Sequence, residues 1–387
     1  MHSNRTIVHL DLDSFFVSVE RLHNKRLLGK PVIIGGTSDR GVVSSCSYEA
    51  RQMGVSSAMP MKLALRLCKE AIVVRGDMDR YAYHSGLVTQ IIADKSPLFE
   101  KASIDEHYID LTGMDRFFGS LQWTRELRSY IIRETQLPIS FGLSVNKTVS
   151  KMATNEAKPN GELQVADQRV TSFLDPLSIR KIPMIGAKTF QMLRSMGVVT
   201  IKTLREIPPE LMERFMGKNG QIIWKKANGI DPTPVEPYVE QKSMSSETTF
   251  ETDTMDIAML KNILLAMVEK LAFQLRKQHK LTGCIAVKIR YANFDTHTMQ
   301  RRITPSSFDH LLYAVVEELF DKLYERRMLI RLIGVRFSDL EYGFQQLNLF
   351  DDTPAKVNLY LAMDHIRKQY GNKAVRRAAG MKPRKIV

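Results

Sequence analysis

The chain has 387 residues, 44% of them hydrophobic, and a formal net charge of +14 at pH 7. That length predicts two to four domains rather than one core, and the charge predicts a polyanionic partner. No apolar run approaches the roughly 20 residues of a membrane span, no basic amphipathic helix dominates, and Met1 to Arg5 does not read as a signal peptide, so a cytoplasmic protein without a membrane partner is expected. Cys46, Cys68 and Cys284 are odd in number and widely spaced, which suits reduced core thiols rather than a disulfide framework or a zinc site.

The run Ile7-Val8-His9-Leu10-Asp11-Leu12 predicts a buried strand, with Asp11 and Asp13 on one face by the period-two alternation of side chains. Ser14 is placed to cap a helix through Phe15, Phe16, Val19 and Leu22, whose free N–H groups would suit a triphosphate. Residues 25–76 hold only short elements, among them Pro31–Gly35, Val42–Ser44, a helix from Tyr48 to Met53 and another from Met61 to Leu67. A helix from Tyr81 to Ala93 then precedes Ala102–Asp110, which reads as a hairpin with Asp105-Glu106 at its tip. Adjacent acids can share one target only where the chain turns.

A helix from Trp123 to Glu134, a strand from Ile139 to Leu143 and a helix from Val145 to Ala157 follow, the last stopped by Lys158-Pro159-Asn160-Gly161. The compact helical stretch over 167–234 carries Ile182-Pro183-Met184-Ile185-Gly186-Ala187-Lys188, similar to a helix–hairpin–helix whose turn offers N–H groups to a DNA phosphate. Met184 stands where such a turn usually has its first glycine, and φ > 0 is costly for Met. Beyond a proline-containing linker come a strand over 243–251, a helix over 256–279, strands over 283–292 and 296–304, a helix over 306–327 and a strand over 329–339. This is a β-α-β-β-α-β unit. Val287, Ile289 and Tyr291 would form its core side, and Lys288 and Arg290, joined by Arg301, Arg302 and Arg336, a basic side of single sign suited to a DNA groove. Last, Gln345-Gln346-Leu347-Asn348-Leu349-Phe350 is a short segment whose Leu349 and Phe350 would fit a partner's apolar pocket.

Taken singly, acids at strand ends are as a rule solvated turn residues. If the two acid-bearing strands are neighbours, however, Asp11, Asp105 and Glu106 converge. Two carboxylates about 4 Å apart repel by roughly 4 kcal/mol at an effective dielectric near 20, which a hard divalent cation with oxygen ligands would relieve. Two such ions would make a phosphoryl-transfer site.

Asp11-x-Asp13-x-Phe15-Phe16-x-Ser18-Val19-Glu20 and Ser103-Ile104-Asp105-Glu106-x-Tyr108-x-Asp110 resemble the two metal-binding motifs of the Y-family, translesion DNA polymerases, closest to the bacterial polymerase IV branch. The resemblance extends over nearly all of the chain. It implies an α+β multidomain right hand: a palm from 1–24 and 77–166, small fingers from 25–76, a helical thumb from 167–234, a linker from 235–242, a β-α-β-β-α-β little finger from 243–341, and a clamp-binding peptide with a basic tail from 342–387. It makes Asp11, the Leu12 carbonyl, Asp105 and Glu106 the ligands of two Mg²⁺ ions, for which Mn²⁺ can substitute, and Asp11, Asp105 and Glu106 the catalytic acids. It puts Phe15, Phe16, Tyr48, Arg51 and Lys158 at the dNTP, with Phe16 as the steric gate against a 2′-hydroxyl, and leaves Asp13 a structural role. Gly186, Lys188, Lys288, Arg290, Arg301, Arg302 and Arg336 would face DNA, and Gln346, Leu347, Leu349 and Phe350 a sliding clamp. The activity implied is template-directed extension of a primer by a monomer, with low fidelity, lesion bypass and no proofreading. A non-catalytic DNA- and clamp-binding platform and a nucleotide cyclase are the rival classes. The intact acid and dNTP residues argue against the first, and the hairpin, clamp peptide and basic charge against the second.

Overall fold

The computed structural model describes residues 5–38, 40–114, 119–237, 240–325, 328–343, 353–371, 374–375 and 377–378. The chain forms two compact units, Met1–Val239 and Glu240–Val387.

The first unit is built on strand β1 (Ile7–Leu12), every residue of which is buried. Around it lie a small sheet of β2 (Val32–Gly35), β3 (Val43–Cys46) and β4 (Ile72–Val74) and a larger one that adds β5 (Phe99–Lys101), β6 (Glu106–Asp110), β7 (Ile139–Ser144) and β8 (Glu162–Gln164). The orders are β3-β2-β4 and β5-β6-β1-β7-β8. The helices are α1 (Phe15–His23), α2 (Tyr48–Gln52), α3 (Met61–Leu67), α4 (Met78–Lys95), α5 (Ser120–Thr135) and α6 (Lys147–Ala157), then the helical stretch α7 (Val170–Leu174), α8 (Ala187–Ser195), α9 (Ile201–Arg205), α10 (Pro209–Met216) and α11 (Lys218–Ala227).

Strand β1 is antiparallel to both β6 and β7, with Asp11 opposite Glu106 on one side and Ser140 on the other. Period-two alternation divides its residues. Val8, Leu10 and Leu12 join a core with Val88 and Ile92 of α4 and Leu127 and Ile131 of α5. The opposite face carries His9 and Asp11 and receives α6, which is seated by bonds from Ser150 Oγ to the Ile7 carbonyl (2.8 Å) and from Thr154 Oγ1 to the His9 carbonyl (3.0 Å). Gly142, opposite His9 on β7, makes this approach possible: a Cβ there would meet the Ser150 carbonyl oxygen at 2.2 Å and the Thr154 nitrogen at 2.5 Å.

Three expectations need correction here. Asp13 lies beyond the end of β1, in a turn, and does not share the strand face of Asp11. Ser14 precedes α1 in the left-handed region (φ 43°, ψ 48°) and makes no side-chain cap, because capping requires an extended residue. The hairpin turn falls one residue early, so Glu106 opens β6 and only Asp105 is on the turn. Strands β4, β5 and β8 are each only three residues long, too short for a period-two pattern to show in the sequence. In the helical stretch Met184 does adopt φ 84° ahead of α8, with its side chain 54% exposed. The turn keeps its left-handed residue without glycine.

The second unit contains β9 (Ser243–Thr254), α12 (Ile257–Lys277), β10 (Lys280–Tyr291), β11 (Thr296–Ser306), α13 (Asp309–Leu323), β12 (Ile330–Tyr342) and α14 (Thr353–Tyr370). Its sheet order is β11-β10-β12-β9. Leu264, Val268 and Leu271 of α12 and Val316 and Phe320 of α13 pack on Val287, Ile289 and Tyr291 of the sheet. Helix α14 is joined to this unit by Arg276, which pairs with Asp309 (2.7 Å) and Asp364 (2.6 Å), and by Tyr360, buried against Phe308 and His310.

Candidate active site

The acids meet where β1, β6 and the end of α6 converge. Asp11 is 5% exposed, and Lys158 Nζ lies 2.5 Å from its Oδ1. Burial pushes the Asp11 carboxyl up to about 7, against the pull of Lys158, with Glu106 and Asp105 adding to the rise. Glu106 accepts from Lys151 at 2.5 and 2.6 Å, and His9 Nε2 lies 3.9 Å from it. Burial works against ionisation of Glu106, yet its contacts with His9 and Lys151 hold the carboxyl well below the usual range. Burial also lowers His9 to about 4.

Asp105 sits slightly apart. Its Oδ1 accepts from Ser103 Oγ at 2.6 Å, while its backbone carbonyl accepts from the Leu12 N–H at 3.1 Å and ties the turn to the end of β1. A pocket is lined by Asp11, Leu12, Asp105, Phe15, Phe16, Arg51 and Lys158, with the small side chains of Ser44, Ser45 and Ser57 also on its wall. Oxygens of Asp11 and Glu106 and a nitrogen of His9 lie within 4.8 Å of one another. That donor set, mostly carboxylate oxygen, fits a hard divalent cation. The two lysines offset the repulsion that a bare acid pair at this spacing would carry.

The two phenylalanines separate by environment. Phe15 is 2% exposed and belongs mainly to the core, though it also reaches the pocket wall. Phe16 is only partly buried and stacks on Tyr81, ring centroids 4.3 Å apart and planes at 11°. The Tyr81 hydroxyl is fixed in turn by donating to Glu20 at 2.7 Å.

Tyr48 and Arg51 share a helix face, the guanidinium 5.0 Å from the ring centre, but only Arg51 of the two reaches the pocket wall. The Tyr48 hydroxyl donates to Asp13 at 3.0 Å. Asp13, 2% exposed, also accepts from Ser140 Oγ (2.7 Å) and the Asn160 N–H (2.8 Å). It thereby joins the small sheet's helix, the central sheet and the turn carrying Lys158. Asp13→Ala would strand three neutral donors, at about 1–3 kcal/mol for each one left buried and unpaired. A urea unfolding curve should show a loss of that order; a loss under about 1 kcal/mol would mean that Asp13 is dispensable to the fold.

His107, next to Glu106, points the other way. It is fully buried, opposite Leu10, on the sheet face covered by α4, and its Nε2 is 3.0 Å from Thr89 Oγ1. It therefore packs against the helix layer and not against the acids. Burial, helped by Lys101, lowers His107 to about 3, as burial lowers His9 to about 4. Both native values lie below the ordinary 6.5, so the unfolded chain binds protons first. Their stabilisation is fully present above about pH 6.5 and falls by about 1.4 kcal/mol per pH unit for each histidine as the pH drops toward 4. His107→Val should flatten the acid limb of unfolding stability by one histidine's share. An unchanged slope would show that His107 titrates normally.

Away from the pocket, Gly186 precedes α8 and Lys188 is exposed on its first turn. In the second unit, Arg336 and Gln300 stand opposite Ala286, and Lys288 opposite Gly334, on the sheet face away from the helices. Arg290 and Arg302 share that face. Arg301 does not: it stands opposite buried Ile285 and pairs with Glu318 of α13, since neighbours on a strand face opposite ways. Nor is the face of single sign, because Lys288 pairs with Glu247 at 2.6 Å and Arg302 with Asp339 at 3.7 Å. Gln346, Leu347, Leu349 and Phe350 lie outside the described residues.

Sequence reading missed His9 and Lys151. The signals were present: His9 is two residues before Asp11 on the same strand face, and Lys151 is seven before Lys158, two turns back along one helix stripe.

Residues 10–155 match the impB/mucB/samB family and residues 241–349 its C-terminal domain. A protein named DNA polymerase IV from Dehalococcoides mccartyi is 38% identical over 380 residues, covering 96% of this chain and 97% of that one. One named DNA polymerase IV 1 from Bacillus subtilis is 32% identical over 389 residues, covering 98% and 94%. Among solved structures, a Y-family DNA polymerase chimera of Dbh and Dpo4 superposes with a TM-score of 0.77 at 25% identity, over 87% of this chain and all of that one. These relatives, together with acids gathered at the end of a central mixed sheet, mark a DNA-directed DNA polymerase. The chain belongs to the impB/mucB/samB family, the Y-family of DNA polymerases.

Among the described residues, no helix is long and apolar enough to cross a membrane. Cys46, Cys68 and Cys284 are buried and free.

Proposed function

We propose that this chain extends a primer 3′-hydroxyl with dNTPs on a DNA template, bypassing lesions at low fidelity and without proofreading. The observation that carries the reading is the register of β1 against β6, which sets Glu106 opposite Asp11, and Asp11 lines a pocket together with Asp105, Leu12, Phe16, Arg51 and Lys158. Asp11, Asp105, Glu106 and the Leu12 carbonyl would hold two Mg²⁺ ions, or Mn²⁺ in their place. When bound, such ions neutralise triphosphate charge and lower the pKa of the attacking hydroxyl.

The protein's own groups do the rest. Arg51 offers a planar fork and Lys158 a point charge to phosphate oxygens, both stabilising charge that grows in the transition state. The Tyr48 hydroxyl, with one donor, has to give up Asp13 before it can donate to a phosphate, whereas the Lys158 ammonium, with three, can keep Asp11 while it reaches a phosphate oxygen. Phe16, braced by Tyr81, meets the sugar. Ser44, Ser45 and Ser57 put little bulk over the nascent pair, which suits tolerance of a damaged template. Gly186, Lys188, Lys288, Arg290, Arg302 and Arg336 supply phosphate contacts, and Gln346–Phe350 docks on a sliding clamp.

The test is primer extension across a template lesion, with and without clamp. Bypass is expected, with stimulation by the clamp that Phe350→Ala erases while clamp-free synthesis stays intact. No extension even on undamaged template would refute the polymerase reading, and stimulation that survives Phe350→Ala would refute the clamp contact.

A further inference from the structure

Both oxygens of Glu106 accept from a single ammonium, Lys151 Nζ, at 2.5 and 2.6 Å. Lys151 projects from α6, whose seat on the sheet is fixed by the Ser150 and Thr154 bonds and by the close approach at Gly142. Lys158 lines the pocket beside Asp11, whereas Lys151 is not on the pocket wall, so the two lysines do different work. The side chains of Lys151 and Glu106 are 26% and 21% exposed, which leaves the ammonium a route into water.

We propose that Lys151 is a positioning residue that competes with the divalent cation for the Glu106 carboxylate and so sets the metal concentration at which the site fills. The inference rests on the metal-dependent reading above. A divalent ion needs at least one of the oxygens that Lys151 occupies. An ammonium and a divalent ion about 4 Å apart repel by roughly 8 kcal/mol at an effective dielectric near 20, so the two occupy Glu106 in turn. The apparent metal affinity is then the intrinsic one reduced by the fraction of molecules in which Glu106 is free. While paired, Lys151 offsets the repulsion between Glu106 and Asp11 and keeps the carboxylate at the end of β6.

Mn²⁺ binding to the full chain, followed by paramagnetic resonance, tests this without reference to activity. Lys151→Met is expected to bind Mn²⁺ about tenfold more tightly, equivalent to about 1.4 kcal/mol, and to melt at a lower temperature when no metal is added. Lys151→Arg, which restores a cation, should return both properties toward wild type. With Glu106→Gln already in place, Lys151→Met should no longer tighten Mn²⁺ binding, because the carboxylate they contest is gone. Lys151→Gln serves the same purpose should the Met variant fail to fold. Unchanged or weaker Mn²⁺ binding in a folded Lys151→Met or Lys151→Gln protein would overturn the competition, as would a tenfold gain that persists in the Glu106→Gln background. Failure of the wild type itself to bind Mn²⁺ would instead overturn the metal site.

Discussion

Asp11→Asn is expected to slow nucleotide incorporation by about 10³-fold or more while leaving primer–template affinity within a few fold. The substitution keeps the shape of the side chain and removes its charge. Asp11 sits opposite Glu106 in the register of two hydrogen-bonded strands, so it cannot be replaced by a neighbour moving in. A bound cation stabilises the transition state by several kcal/mol, and each 1.36 kcal/mol is tenfold in rate. The DNA-facing groups proposed in the helical stretch and in the second unit are untouched, which is why binding should persist. Single-turnover incorporation with saturating dNTP, paired with fluorescence anisotropy of a labelled primer–template, separates the two quantities. Near-normal incorporation would remove Asp11 from the metal site, and loss of DNA binding in parallel would point to a folding defect instead.

Phe16→Ala is expected to lower discrimination of dNTP over rNTP by about 10–200-fold, mainly through faster use of the ribonucleotide. The magnitude follows from the roughly 1–3 kcal/mol that an overpacked group costs at a closely fitted apolar wall. The ring can act as such a wall only if it does not yield. Tyr81 stacks on it almost face to face, and the Tyr81 hydroxyl is anchored to Glu20. Tyr81→Leu, which removes the brace but keeps Phe16, should therefore show a smaller relaxation in the same direction. Competing incorporation of matched ribo- and deoxynucleotides reads both variants. Unchanged sugar selectivity in Phe16→Ala would rule it out as the gate.

The parts of the site that depend on one stretch of chain were legible before folding. Strand β1, the turn at Asp105, the helix carrying Tyr48 and Arg51 and the stop after α6 were all visible as local patterns, and the β-α-β-β-α-β order of the second unit followed from alternating apolar periods. Partnership was less legible. That Asp13 would be pulled out of line by Tyr48, Ser140 and the Asn160 N–H depends on three segments up to 147 residues away. Arg301 and Arg302 are adjacent in sequence and equally basic, and only the register of β11 against β10 shows that one faces α13 and the other does not.

By itself, the sequence determined which residues could do chemistry and which local elements carry them, because period, turn residues and charge act over a few neighbours. The tertiary structure decided which of those groups meet: His107 turned away from the acids while His9 and Lys151 turned toward them. That choice belongs to strand pairing and to a helix seated where Gly142 leaves room, and contacts between distant segments have no local pattern to announce them.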